Sequence, residues 1–343
     1  MEQTNIRDRS LYIEHKCNMG AEMKRFLITI MILALSAGAA AGQDNQGAGQ
    51  DNQVKPKWDM EVAFAARDTC ELSMDLYFPK DDKEVHPCLL FVYGGGFVDN
   101  NQREKSVVEY CRRMADAGFV AVATDYRLGL KGVKTKSLVA MAGNLEKAIT
   151  LSTEDLFSAV RYLLTYSSEL CIDPEKIILA GSSAGAITVL QADYELGNRS
   201  SLASAMPEGF RFAGVVSFSG AIFSRKGKCE WTVQPPAPTL FLHGTSDELV
   251  TYKQIRFFKL GFFGTDPLVE RFEKFDYPYM CLRFDSRFHE VASFMNTCYD
   301  QTLWFINKFV FEKKNWQIDA TVSDPEMDIA KPWSFTAKDL YGK

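Results

Sequence analysis

The chain has 343 residues, of which 46% are hydrophobic and 24% charged, and it carries a formal net charge of −5. That balance suits a globular protein with a large core and excludes a fibre or a disordered chain. It contains no basic tract and no acidic tail, so nucleic acid and anionic membrane surfaces are not expected partners.

Met23, Lys24 and Arg25 precede FLITIMILALSAGAAAG, so a short basic region, an apolar core and an A-x-A ending at Ala41 follow in the order of a secretory signal peptide. Residues 1–41 are thus expected to be an N-terminal extension and signal peptide, with Met23 as initiator. The apolar part, 26–35, is too short to cross a bilayer, so the expectation is export to the periplasm or medium without a stable membrane anchor. Residues 42–57 contain GQDNQ twice and read as a flexible polar leader.

From residue 58 the pattern becomes orderly. Segments 60–66 and 72–79 alternate like two antiparallel strands. Short apolar runs follow at 88–93, 119–124, 177–181, 213–218, 238–243 and 279–284, most of them separated by helical periodicity at 104–117, 153–166, 184–196 and 293–311. Strands alternating with helices predict an α/β fold with a mostly parallel eight-stranded sheet and helices on both faces. One domain is expected over 58–314, with a helical insertion at about 128–153 whose extra amphipathic helix would cap the site. Residues 315–343 lack strong periodicity and are expected to wrap the surface.

In such a sheet the site forms beyond the carboxyl ends of the strands. There, KIILAGSSAG carries G-x-S-x-G between a buried strand and a helix, which presents Ser183 as a nucleophile on a tight turn. Three histidines follow residue 41. His86 lies on the opposite edge and His243 closes a strand, whereas His289 follows the last strand and is the preferred base. Asp247 is the preferred acid, with Glu248 as the weaker alternative. Gly94, Gly95 and Gly96 follow a buried strand, so the N–H groups of Gly95 and Gly96, with that of Ala184 behind the nucleophile, are candidate oxyanion donors. Phe97, Phe257, Phe258, Phe262 and Phe263 are candidates for an acyl or aryl pocket, although such aromatics are more often core. No C-x-x-C or H-x-x-x-H occurs, so neither a metal nor another cofactor is expected. Seven cysteines follow residue 41, an odd count. Cys111 reads as a buried thiol, and Cys281 and Cys298 bracket His289 as a candidate bridge.

The set YGGGF, DYRLG, GSSAG, HGTSDE and FHEV resembles the α/β-hydrolase superfamily, in particular carboxylesterases and acetylesterases akin to hormone-sensitive lipase and to bacterial polysaccharide-associated esterases. The likeness covers roughly 60–311. It implies Ser183, Asp247 and His289 as nucleophile, acid and base, and Gly95, Gly96 and Ala184 as the oxyanion hole. Asp125 and Arg127 resemble the family's loop-bracing pair, and Tyr93 stands where many members have histidine. The implied activity is an exported serine esterase acting through an acyl-enzyme on a small-molecule or carbohydrate ester, such as acetyl or feruloyl groups on polysaccharide. A peptidase or lipase of the same fold, or a non-catalytic binding protein, are the other readings.

Overall fold

Alternate residues of the central strands bury on opposite sides. In β3 (His86–Val92), Cys88, Leu90 and Val92 join one hydrophobic cluster, while Leu89 and Phe91 join another. A strand apolar on both faces needs cover on both, the condition of a parallel sheet between helical layers. The computed structural model describes residues 59–67, 70–81, 83–99, 101–134 and 138–323. The expected signal peptide and the leader lie outside the described residues.

The main sheet has nine strands in the order β1 (Met60–Ala66), β2 (Glu71–Tyr77), β4 (Val120–Thr124), β3, β5 (Ile172–Ser182), β6 (Gly214–Phe218), β8 (Thr239–Gly244), β11 (Tyr279–Phe284) and β12 (Gln317–Val322). β1 and β2 pair antiparallel, β2 joins β4 antiparallel, and the remaining pairs are parallel. All eight expected strands are present. The ninth corrects the expectation for the C-terminal segment: residues 317–322 add a parallel edge strand, with Ile318, Ala320 and Val322 packed toward the core. A second, three-stranded sheet comprises β7 (Ile222–Ser224), β10 (Leu260–Phe263) and β9 (Gln254–Phe257).

One face of the main sheet is covered by α2 (Leu138–Thr165), α3 (Ala184–Gly197) and α4 (Thr265–Lys274), the other by α1 (Lys105–Asp116) and α5 (Tyr299–Phe305), which continues as a π-helical turn over Ile306–Phe311. Two expectations change here. The helix expected within 128–153 is not a separate cap. It is the first half of the 28-residue α2, with Ala142, Leu145, Ala148 and Ile149 in the core. The Ser152 hydroxyl bonds back to the Ile149 carbonyl at 3.0 Å, so it sits inside the helix instead of capping a new one. The helix after Ser183 is not amphipathic in its setting either. Every α3 residue except Glu195 is buried, as befits a helix enclosed between sheet and α2.

The bracing residues of the DYRLG loop act on separate partners. Asp125 accepts from the Ser73 N–H and hydroxyl, both at 3.2 Å. Arg127 binds the fully buried Asp155 at 2.8 Å and Glu154 at 2.8 Å. Asp155 also takes the Arg67 guanidinium at 3.0 Å, so one carboxylate ties β1's end and the β4 loop to α2. The described cysteines are all free thiols. Cys111 is buried as expected, but Cys281 and Cys298 form no bridge, because they pack into clusters on opposite faces of the sheet.

Candidate active site

Ser183 stands between β5 and α3 with φ 52° and ψ −117°, a region non-glycine residues rarely occupy. Such a conformation costs on the order of 1–3 kcal/mol and persists only where the surroundings fix it. Here the Ser183 N–H donates to Phe218 O at 2.9 Å and its carbonyl receives Ile187 N–H at 2.9 Å. The flanking glycines are a steric requirement. A Cβ on Gly181 would lie 2.4 Å from Gly185 O, and one on Gly185 would lie 2.0 Å from Val92 O.

β11 ends before His289, which opens a short 3-10 turn, His289–Ser293, and is 2% exposed. Its Nε2 lies 2.8 Å from Ser183 Oγ, and its Nδ1 lies 2.7 Å from Asp247 Oδ2. The partners assign the tautomer: Nδ1–H donates to the carboxylate, leaving Nε2 to accept the serine proton. Asp247 follows β8 and is 4% exposed. Its Oδ1 accepts the N–H groups of Leu249 at 2.9 Å and Val250 at 3.0 Å. Burial alone would raise its pKa, but the adjoining His289 and the hydrogen bonds from His243 and His289 outweigh it and hold the carboxyl well below the usual range. Glu248 is exposed, which removes it from this cluster.

His243 belongs to the site more closely than its place at a strand end suggested. Its Nε2 faces Asp247 Oδ2 at 3.2 Å and Val250 O at 2.9 Å, while its Nδ1 faces the Thr265 hydroxyl at 2.8 Å. Two acceptors beside Nε2 put the proton there, and Nδ1 then accepts from Thr265. The third histidine among the described residues, His86, is held by the carbonyls of Gly118 at 3.2 Å and Lys83 at 3.0 Å, away from Ser183.

The glycine run passes directly beside Ser183, since a Cβ on Gly94 would lie 3.2 Å from Ser183 Cβ. Gly95 and Gly96 have φ of 112° and 61°. Among the described residues, neither of their N–H groups donates to another backbone carbonyl. Ala184 is the first residue of α3, where a backbone N–H has no intrahelical acceptor. The carbonyls of the preceding glycines, by contrast, are held: Tyr126 OH donates to Gly94 O at 3.1 Å, and the N–H groups of Val98 and Asp99 donate to Gly95 O, both at 3.1 Å. Tyr126 carries a sequence signal as the middle residue of DYR, between the bracing Asp125 and Arg127. Thr265 carries none. Tyr93 is half-buried and bonds Glu104.

The aromatic pocket residues separate. Phe97 is fully buried with its ring edge-on to Tyr126 at 6.0 Å. Phe262 and Phe263 on β10 belong to the core. Phe258 sits at the β9–β10 hairpin turn, 75% exposed, with the half-buried Phe257 packed against it at 4.7 Å. The hairpin thus holds Phe257 and Phe258 together at its turn and Phe262 and Phe263 in the core, so the four rings form no common pocket wall.

Sheet order, strand-turn-helix and the positions of Ser183, Asp247 and His289 beyond three strand ends define the α/β-hydrolase fold. Within it, the BD-FAE family model matches residues 74–223. Gut esterase 1 of Caenorhabditis elegans is 24% identical over 157 residues, 45% of this chain and 26% of that protein. The Caenorhabditis briggsae protein of the same name is 27% identical over 142 residues, 41% of this chain and 24% of its own length. The match thus spans about a quarter of these curated relatives. Esterase Est2 of Thermogutta terrifontis, solved with butyrate, superimposes with a TM-score of 0.53 at 20% identity, covering 76% of this chain and 96% of Est2. Its native form gives 0.54 at 21% identity, with 78% and 95% covered. The chain has the α/β-hydrolase fold, and the proteins it is similar to are esterases.

Proposed function

We propose that this protein is a serine carboxylic-ester hydrolase. The observation that carries the reading is the continuous chain from Ser183 Oγ through His289 to Asp247, at 2.8 and 2.7 Å. His289 Nε2 takes the hydroxyl proton as Ser183 attacks the ester carbonyl, and Asp247 stabilises the imidazolium that results. The N–H groups of Gly95, Gly96 and Ala184 stabilise the tetrahedral oxyanion. His289 then protonates the leaving alcohol, and water, activated by the same imidazole, releases the acid and restores Ser183. The likeness to Est2, solved with butyrate and with propionate, favours short acyl groups as the first to try. Acetyl or feruloyl esters of polysaccharides are the proposed natural substrates, and residues 23–41 read as the signal that would export the enzyme to meet them.

The test is initial rates for residues 42–343 and for Ser183→Ala on p-nitrophenyl acetate, butyrate and octanoate, methyl ferulate and acetylated xylan. Serine-dependent hydrolysis of the acetyl or feruloyl substrates is expected. A preference for octanoate would point to a lipase, and equal rates for both proteins on every ester would remove the esterase reading.

A further inference from the structure

A trans peptide group is planar, so its C=O and N–H point in opposite directions, and fixing one fixes the other. Each of the three candidate oxyanion donors is the N–H half of a peptide whose carbonyl half is occupied. The Ser183–Ala184 carbonyl receives Ile187 N–H at 2.9 Å, and the Gly95–Gly96 carbonyl receives Val98 and Asp99 N–H at 3.1 Å. Both clamps are backbone to backbone. The Gly94–Gly95 carbonyl differs, because its partner is a side chain, the Tyr126 hydroxyl at 3.1 Å.

Resting on the esterase reading, we propose that Tyr126 is the positioning residue of the oxyanion hole: its hydroxyl holds the Gly94–Gly95 peptide plane so that the Gly95 N–H faces the reacting carbonyl oxygen. Three observations give it that role. Gly95 has φ 112°, and a glycine peptide has the least intrinsic preference to keep such a plane in place. Tyr126 is 2% exposed, so water cannot take over its hydrogen bond. Its ring is itself fixed, edge-on to Phe97 at 6.0 Å, and the Phe97 carbonyl receives Leu130 N–H at 2.9 Å, which fastens the glycine run to the DYRLG loop at a second point. Burial also keeps the phenol protonated, pushing its ionisation far above the ordinary tyrosine range, so it remains a donor at every working pH. Tyr126 touches no reacting atom in this scheme and acts through Gly95.

The experiment compares wild type, Ser183→Ala and Tyr126→Phe on p-nitrophenyl butyrate, with thermal melting of all three. It also measures inhibition by a trifluoromethyl ketone, which forms a tetrahedral oxyanion on the serine, and by butyrate, which does not. Losing a whole oxyanion donor costs on the order of 100- to 1000-fold in rate. A donor left in place but misaligned is expected to cost about 10- to 100-fold in kcat, with KM within about twofold. Affinity for the ketone should fall by the same factor, while that for butyrate stays unchanged. An unchanged kcat, a loss confined to KM, or a lowered melting temperature with full ketone affinity would overturn the proposal and leave Tyr126 as packing. Absence of serine-dependent turnover in the wild type would instead reject the esterase reading on which it rests.

Discussion

His243 and Asp247 share a hydrogen bond of 3.2 Å, made to the same carboxylate oxygen that receives His289 at 2.7 Å. The acid of the proposed triad therefore lies between two imidazoles, one facing Ser183 and one anchored to Thr265 on α4. Removing His243 leaves Asp247 held by two backbone N–H groups on its other oxygen, free to tilt away from His289. A hydrogen bond to a charged group is worth about 1.5–3 kcal/mol. His243→Leu is thus expected to lower kcat/KM by roughly 10- to 100-fold, at about 1.4 kcal/mol per tenfold. Thr265→Val should do the same more weakly. Steady-state kinetics with p-nitrophenyl acetate checks both, and full activity in His243→Leu would show that backbone contacts alone orient the acid.

Asp247 also sets an acid limit on stability. Its folded carboxyl lies below the ordinary range while an unfolded aspartate titrates near 3.9. A depressed carboxyl contributes stability that is complete above the unfolded pKa and is lost as pH falls toward the folded one. The melting-temperature advantage of wild type over Asp247→Asn should be flat above about pH 5 and shrink below about pH 4. In the same variant, loss of the charge and of the correct imidazole tautomer predicts a fall in kcat of roughly 10⁴-fold at neutral pH. A pH-independent gap between the two melting curves would contradict the first expectation.

Asp193, ten positions along α3 from Ser183, has the opposite sign. Burial pushes its pKa up to about 7, against the opposing hydrogen bond from Ala237 N–H at 3.2 Å and the Arg211 charge. A folded carboxyl that holds its proton while the unfolded chain has lost it makes stability fall as pH rises from about 4 to about 7, with no further change above. Asp193→Asn keeps an acceptor for Ala237 and removes the ionisation. It should match wild type near pH 4 and exceed it at pH 8, by up to a few kcal/mol as an order of magnitude. Urea denaturation at the two pH values measures this, and equal stability at pH 8 would show that Asp193 titrates normally.

How far the sequence reached depends on what each element shows to its neighbours. The central strands are apolar on both faces and were legible as uninterrupted runs, and the loops that follow them placed Ser183, Asp247 and His289 on one edge. β12 was not legible because an edge strand buries one face only, and Ile318, Ala320 and Val322 make a faint alternation. α2 was not legible as one helix because its two halves carry separate periodic stretches, and the Ser152 hydroxyl bonds back within the helix where they join. Cys281 and Cys298 looked like neighbours in sequence, but no pattern announces that a sheet passes between them. Phe257, Phe258, Phe262 and Phe263 failed as a pocket for a related reason: their environments depend on a hairpin pairing that aromatic clustering does not reveal.

The turn that carries Ser183 permits a sharper test, because two glycines with the same composition signal have opposite surroundings. A Cβ at Gly185 would stand 2.0 Å from Val92 O and 2.7 Å from Tyr93 O, both backbone atoms of the strand and loop leading into the glycine run. Neither can move without carrying the candidate oxyanion donors with it. Gly143, in the exposed part of α2, has nothing within 4 Å of the same added atom. Gly143→Ala should therefore stabilise the protein by roughly 0.5–1 kcal/mol, the ordinary gain from replacing glycine inside a helix, with unchanged kcat. Gly185→Ala should either fail to fold or fold with the β5–α3 turn forced away from β3, and kcat on p-nitrophenyl butyrate should drop at least about 100-fold, as for loss of an oxyanion donor. Thermal melting and initial rates on the two variants decide it. A Gly185→Ala protein with normal stability and turnover would mean that the turn tolerates a side chain, and the steric account of G-x-S-x-G in this chain would be wrong.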